Sequence, residues 1–225
     1  MLVASIGVAI FLAYSYGKAQ ARKVGASHIS SRSKAIWSQA AQRDWRIVVL
    51  GDSITELSDV GDLCGVPTLN AGISGARVKD LLAAAPRLMD GASPDIVVLA
   101  AGTNDSWSGR STPPQKFVDD YRALINFLSA KGAKVILANI PPVGPKDSDL
   151  AHIFDPSAIS ALNRQIADMR MPTIDLFHAM EDPATGRLFP GSTNDGVHPN
   201  ARGYAIWRHA IASKLCGSFP RGSSH

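Results

Sequence analysis

The chain has only two cysteines in 225 residues, Cys64 and Cys216, too few for a disulfide framework and enough for one bridge at most. It has no Cys-x-x-Cys and no His-Glu-x-x-His spacing, so nothing points to a zinc site, and no metal or cofactor is expected. It also lacks a run of Lys and Arg with interleaved aromatics, which argues against nucleic acid as a partner. The formal net charge of +4 hides an almost balanced domain. Lys18, Arg22 and Lys23 are the only charged side chains among the first 23 residues, and without these three of the 23 basic residues, 20 face 19 acidic ones. Hydrophobic residues make up 45% and charged residues 19%, the composition of a globular protein.

Charge is absent altogether before Lys18, in "MLVASIGVAIFLAYSYGK". An uncharged run of about 17 residues sits at the lower limit for a helix that spans a bilayer. A basic segment before the run is missing, Ala19-Gln20-Ala21 fits a small-residue cleavage pattern, and the positive residues lie after the apolar run. Residues 1–23 are therefore expected to be an export signal or a membrane anchor, with a buried N-terminal helix as the alternative. Residues 2–16 are the stretch that would associate with a membrane, and the domain behind them is expected to be periplasmic, extracellular or membrane-anchored. Residues 24–44, rich in Ser and Ala, read as a linker or a surface helix. Residues 45–216 read as one domain and 217–225 as a tail, whose "RGSSH" resembles a remnant of expression.

Apolar strand-like runs recur at 46–50, 66–70, 95–100, 134–140 and 173–177. Helical spacing of apolar residues fills the intervals, as in "RVKDLLAAAPRLM", "PPQKFVDDYRALINFLSAKG", "DPSAISALNRQIADMR" and the closing "NARGYAIWRHAIASKL". Asp155 and Asn200 stand where N-caps belong, and Gly132 where a C-cap belongs. No internal repeat and no Pro/Ser-rich linker follows residue 45. Strands alternating with crossover helices predict a three-layer α/β/α sandwich around a central, mostly parallel sheet of five strands.

The run Ile47–Leu50 ends in Gly51-Asp52-Ser53. Gly51 allows a sharp turn, and Ser53 falls just past the strand end, where open α/β sheets place their ligands. Taken alone, Asp52 or Ser53 fits a helix cap equally well. Three further loops converge on the same rim: Asn70-Ala71-Gly72 with Ser74-Gly75, Gly102-Thr103-Asn104-Asp105, and Asp195-Gly196-Val197-His198-Pro199-Asn200. Acyl transfer needs such a set. A serine hydroxyl needs a base to take its proton, and His198 can do this while Asp195, three residues earlier, holds the other ring nitrogen. Pro199 keeps His198 out of the helix that follows. Backbone N–H groups of Ser53 and Gly72 and the Asn104 amide can supply the oxyanion donors.

The four blocks "GDSIT", "NAGISG", "GTND" and "DGVHPN", in this order from about residue 46 to 214, resemble the SGNH hydrolases, also called GDSL esterases and lipases. The resemblance implies a flavodoxin-like α/β/α fold and a cofactor-free serine hydrolase. It implies Ser53, Asp195 and His198 as the triad, with Ser53, Gly72 and Asn104 as oxyanion donors. Ile54 replaces the Leu of the name-giving motif, a conservative change. The Gly-x-Ser-x-Gly elbow of other α/β hydrolases is absent, because residue 55 is Thr.

Trp107, just after the Asn104 block, is equally readable as core or as the wall of an acyl or sugar pocket. Asp52 is a second residue expected to face substrate, and Asp105 is expected to orient the Asn104 loop. His152 and His178 are rival bases read as structural or substrate-facing, His209 as a packing residue, and Asp175 as closing a local hydrogen bond. Cys64 and Cys216 should lie at the rim opposite the site: a bridge is expected if the domain is exported, and two free thiols if it is cytosolic. The expected reaction is hydrolysis of short, acetyl-type esters of an alcohol, including a small-molecule or carbohydrate ester. Lysophospholipase, thioesterase or acyltransferase chemistry is the alternative within the same family, and a non-catalytic acyl-carbohydrate binding module the alternative outside it.

Overall fold

The computed structural model describes Gln20 and residues 25–218. The signal or anchor expected within residues 1–23 and the "RGSSH" tail lie outside this range, apart from Gln20. Five strands form one parallel sheet: β1 (Ile47–Gly51), β2 (Thr68–Gly72), β3 (Ile96–Ala100), β4 (Lys134–Ala138) and β5 (Thr173–Ile174), in the order β2-β1-β3-β4-β5. The α/β sheet flanked by helices that the strand spacing predicts is the fold observed.

Burial on both faces explains the unbroken apolar strands. Val48, Leu50, Val97 and Leu99 point into one core with α3 (Val78–Leu88), α4 (Pro114–Ala130) and α5 (Pro156–Asp168). Ile47, Val49, Ile96 and Val98 point into the other, with Leu176 and Met180 of α6 (Leu176–Met180) and Trp207, Ile211 and Leu215 of α7 (Ala201–Leu215). The chain leaves β1 toward β2 on one side and then crosses back to β3 on the other. Above β1 the sheet therefore has a switch point, the place where loops splay apart and leave a crevice.

Caps behave as the sequence suggests. Asp155 accepts from the Ser157 N–H, and Asn200 from the N–H groups of Arg202 and Gly203. The fifth strand is shorter than the apolar run 173–177, because Asp175 turns the chain into α6 by accepting the His178 N–H. Residues 25–40 form a helix, α1, and not a solvated linker: Ile36 and Ala40 are fully buried in the first core. A short hairpin, β6 (Glu181–Asp182) with β7 (Arg187–Leu188), completes the fold. Among the described residues no helix is long and apolar enough to cross a membrane.

Cys64, ahead of β2, and Cys216, behind α7, form a disulfide with Cα atoms 5.1 Å apart and 152 residues between them in sequence. It ties the last helix to the rim opposite Ser53, so it braces the fold without touching the loops above the sheet. Loss of a native bridge costs about 2–5 kcal/mol, largely by freeing the unfolded chain. Cys64→Ser/Cys216→Ser should therefore lower the thermal unfolding midpoint, and added reductant should bring the wild type to the same midpoint. Ester hydrolysis well below that midpoint should stay unchanged.

Candidate active site

Ser53 is the first residue of α2 (Ser53–Glu56), directly after β1 and Asp52. Gly51 does not sit at positive φ, so its role is space and not an unusual turn. A Cβ there would fall 2.2 Å from Thr55 Oγ1 and 2.4 Å from the Ala100 carbonyl oxygen. Without one, α2 packs onto the strand end and lifts Ser53 to the rim, where it is half-buried.

The structure brings Ser53, His198 and Asp195 together across 145 residues of sequence. Ser53 Oγ lies 2.9 Å from His198 Nε2, and His198 Nδ1 lies 2.6 Å from Asp195 Oδ2. The other oxygen, Asp195 Oδ1, accepts the backbone N–H groups of Val197 and His198, both at 2.8 Å. The carboxylate therefore folds its own loop and orients the imidazole with the same side chain. Burial works against the Asp195 charge, but the His198 hydrogen bond, these two amides and the His198 charge outweigh it and hold the carboxyl below its ordinary value. Thr193 was not visible as a site residue in the sequence. Its hydroxyl donates to the His198 carbonyl at 2.8 Å and accepts the Gly196 N–H at 3.0 Å. The loop after β4 adds two braces, Gly144 N–H to the Gly196 carbonyl and Leu150 N–H to the Asp195 carbonyl.

Asn104 is buried in the short 3₁₀ turn after β3. Its amide donates one hydrogen to the Ala76 carbonyl at 3.0 Å, which orients the group and leaves its second N–H for another acceptor. Asp105 orients this loop as its position suggests, accepting the Val78 N–H and the Thr112 hydroxyl. The Ser53 N–H stands in the first turn of α2, where backbone donors have no intrahelical carbonyl.

The loop after β2 departs from the sequence reading. Gly72 is buried, and its N–H is already held by Asn70 Oδ1 at 2.9 Å. Its lack of a Cβ serves close packing, because a Cβ would meet the Glu56 nitrogen at 2.1 Å. Ile73 N–H goes to the Gly51 carbonyl, Ser74 N–H to Glu56 Oε2, and Ala76 N–H to the Ile73 carbonyl. Gly75, exposed and at φ 75°, has the one unpaired N–H between residues 72 and 76. No sequence pattern separates two glycines three residues apart. Their burial does.

The two residues expected to face substrate fare differently. Asp52 is 1% exposed and cannot reach one. It caps α2 through the Ile54 N–H at 3.0 Å and borders a cavity of about 10 Å³, too small for an ester. Trp107 is half-buried, with the Arg110 guanidinium carbon 3.8 Å above its ring centre and Phe154 at 6.2 Å. The face beneath Arg110 is closed to a stacking sugar. Of the rival histidines, His178 does have an acid three residues ahead and pairs with Asp175 at 2.7 Å. It is nevertheless 73% exposed on α6, while Ser53 bonds to His198. His152 contacts the Ser148 carbonyl, and His209 the Ser213 hydroxyl.

Burial pushes the Asp52 carboxyl from 3.8 up to about 6, against the lowering effect of the Ile54 N–H. Between these values the folded protein holds a proton that the unfolded chain releases, so stability falls as pH rises through this window. A shift of this size corresponds to about 3 kcal/mol at neutral pH. Asp52→Asn, which keeps the cap, should match the wild type in unfolding midpoint near pH 4 and exceed it near pH 7. A difference that stays flat with pH would contradict this.

Residues 49–206 match the GDSL-like lipase/acylhydrolase family. An arylesterase of Vibrio mimicus is 27% identical over 198 residues, which cover 79% of this chain and 92% of that one. Among solved structures, a Streptococcus pneumonia protein named for platelet activating factor superposes with a TM-score of 0.79 at 21% identity, covering 91% of this chain and 98% of that one. A GDSL-like lipase of Bacteroides thetaiotaomicron gives 0.67 at 24%, covering 83% and 98%. An acetyl xylan esterase gives 0.57 at 24%, covering 77% and 99%. The family match runs from the serine elbow through Asn104 to the Asp195–His198 loop, and this chain belongs to the GDSL-like lipase/acylhydrolase family of ester hydrolases.

Proposed function

We propose that this protein is a serine esterase that removes short acyl groups, acetyl first among them, from an alcohol that includes carbohydrate. The observation that carries this reading is the unbroken hydrogen-bond chain Ser53–His198–Asp195 at 2.9 and 2.6 Å. His198 Nε2 takes the Ser53 proton as Oγ attacks the ester carbonyl, and Asp195 stabilises the imidazolium that forms. The oxyanion meets the Ser53 N–H, the free Asn104 N–H and a backbone N–H of the loop after β2. Gly75 is our choice there instead of Gly72, whose N–H is taken. His198 then returns its proton to the leaving alkoxide, and a water activated by the same imidazole cleaves the acyl-enzyme and restores Ser53.

The site is shallow, with His198 and Asp195 25% and 26% exposed, which suits a short acyl group on a bulky alcohol. The arylesterase relative and the acetyl xylan esterase neighbour support the same choice. A lysophospholipase or thioesterase reading draws on Leu57, 58% exposed four residues after Ser53, as an apolar edge for a longer chain. The Cys64–Cys216 bridge supports an oxidising compartment, in keeping with an export signal or anchor in residues 1–23.

Hydrolysis of p-nitrophenyl esters from acetate to dodecanoate should peak at acetate, and a peak at octanoate or beyond would favour lipid substrates. Ser53→Ala should lose activity by at least about a thousandfold. Wild-type turnover in that variant would end the serine-esterase reading. Because His198 must be neutral to accept the proton, kcat/KM should fall on the acid side as the imidazole charges. Asp195, held below the ordinary carboxylate value, stays ionised through that limb.

A further inference from the structure

The helix ahead of the domain carries polar side chains that converge on the loop beside Ser53. Arg32, on α1 and with 18% of its side chain exposed, donates Nε to the Gly72 carbonyl at 3.0 Å and Nη2 to the Asn70 carbonyl at 3.1 Å. Its Nε also lies 3.7 Å from Glu56 Oε1. Glu56, the last residue of α2, accepts the Ser74 N–H at 2.5 Å through Oε2, and His28 Nε2 stands 3.1 Å from the same oxygen. Asn70 closes the frame from below, donating Nδ2 to the carbonyls of Thr55 and Ser58 at 2.8 and 2.9 Å. α1 lies outside the stretch that matches the family, which begins at residue 49.

The consequence is geometric. Arg32 fixes the carbonyl of Gly72, and Glu56 fixes the N–H of Ser74, so the peptide planes on both sides of Ile73 are held. Ala76 is held from the far side by the Ile73 carbonyl and by Asn104. Gly75, with no Cβ and φ 75°, has little intrinsic preference of its own, so the direction of its unpaired N–H is set by these flanking anchors. Hydrogen bonds that involve a charged partner are shorter and about twice as strong as neutral ones, and both anchors are of this kind. Because Glu56 shares α2 with Ser53, the frame also fixes the loop relative to the serine.

We infer that α1 is a working part of the site, in which Arg32 and Glu56 are positioning residues that hold the 72–75 loop so that the Gly75 N–H faces the oxyanion formed at Ser53. The inference rests on the serine-esterase reading above. It assigns no proton transfer and no substrate contact to either residue. Burial disfavours the Glu56 charge, but the bonds from His28 and Ser74 outweigh it and keep the carboxyl below its usual range, so the anchor is anionic at neutral pH.

The test compares wild type, Arg32→Met, Arg32→Lys, Glu56→Ala, Glu56→Gln and Ser53→Ala with p-nitrophenyl acetate. Thermal midpoints and inhibition by phenylboronic acid, whose serine adduct is tetrahedral and anionic, are measured alongside. Misplacing a catalytic group by about 1 Å can cost a hundredfold in rate. Arg32→Met and Glu56→Ala should lower kcat by about tenfold to a hundredfold, with KM within twofold and phenylboronic acid binding weakened by the same factor as kcat/KM. Glu56→Gln, which still accepts the Ser74 N–H, and Arg32→Lys should recover part of the loss. Two results would overturn the inference: unchanged kcat in both truncations while Ser53→Ala is inactive, or a loss that only tracks the thermal midpoint with boronate binding intact. Turnover that survives Ser53→Ala would instead remove the serine-esterase reading beneath it.

Discussion

Everything at the rim depends on how Asp195 uses its two oxygens. One accepts the backbone N–H groups of Val197 and His198, which folds the loop, and the other accepts Nδ1 of the His198 ring. A carboxylate that served only the ring would leave the ring's backbone free to move. One that served only the backbone would leave the ring free to rotate. With both engaged, Nε2 has one direction in which to point, and Ser53 Oγ is there at 2.9 Å. Thr193 and the carbonyl–amide bonds to Gly144 and Leu150 hold the loop itself.

Ser53 is held by a different device, which is the absence of side chains. Gly51 and Gly72 end adjacent parallel strands in register, and a Cβ on either would collide with α2. Their smoothness lets a four-residue helix sit directly on the strand ends, with the buried Asp52 as its cap. That choice costs stability, because a carboxylate at 1% exposure resists its own charge at neutral pH. The opposite end of the molecule supplies compensation of another kind, since the Cys64–Cys216 bridge fastens α7 to the far rim.

Much of this was legible in the chain. Unbroken apolar runs are the mark of strands covered on both faces, and the capping residues Asp155 and Asn200 mark helix starts through chemistry that acts within three residues. The four motif blocks reach the right rim because every parallel strand delivers its following loop to the same edge. What escaped depended on burial. Asp52 sits beside the serine yet faces inward, and Gly72 packs while Gly75 stays open. Residues 24–44 look polar enough for a linker, yet Ile36 and Ala40 are enough to seat them on the core.

Local chemistry could thus be read from sequence alone: which segments are strands and helices, where the helices begin, and which four loops carry serine, asparagine and the Asp–His pair. These follow from interactions over a few residues and from the parallel topology they impose. Which glycine presents a free N–H, whether an acid faces substrate or core, and whether a polar N-terminal helix reaches the catalytic loop were decided by the tertiary structure. Each of these depends on what a group meets across tens of residues of chain, and spacing does not encode that. The serine elbow was written in the sequence, and the frame around it was built by packing.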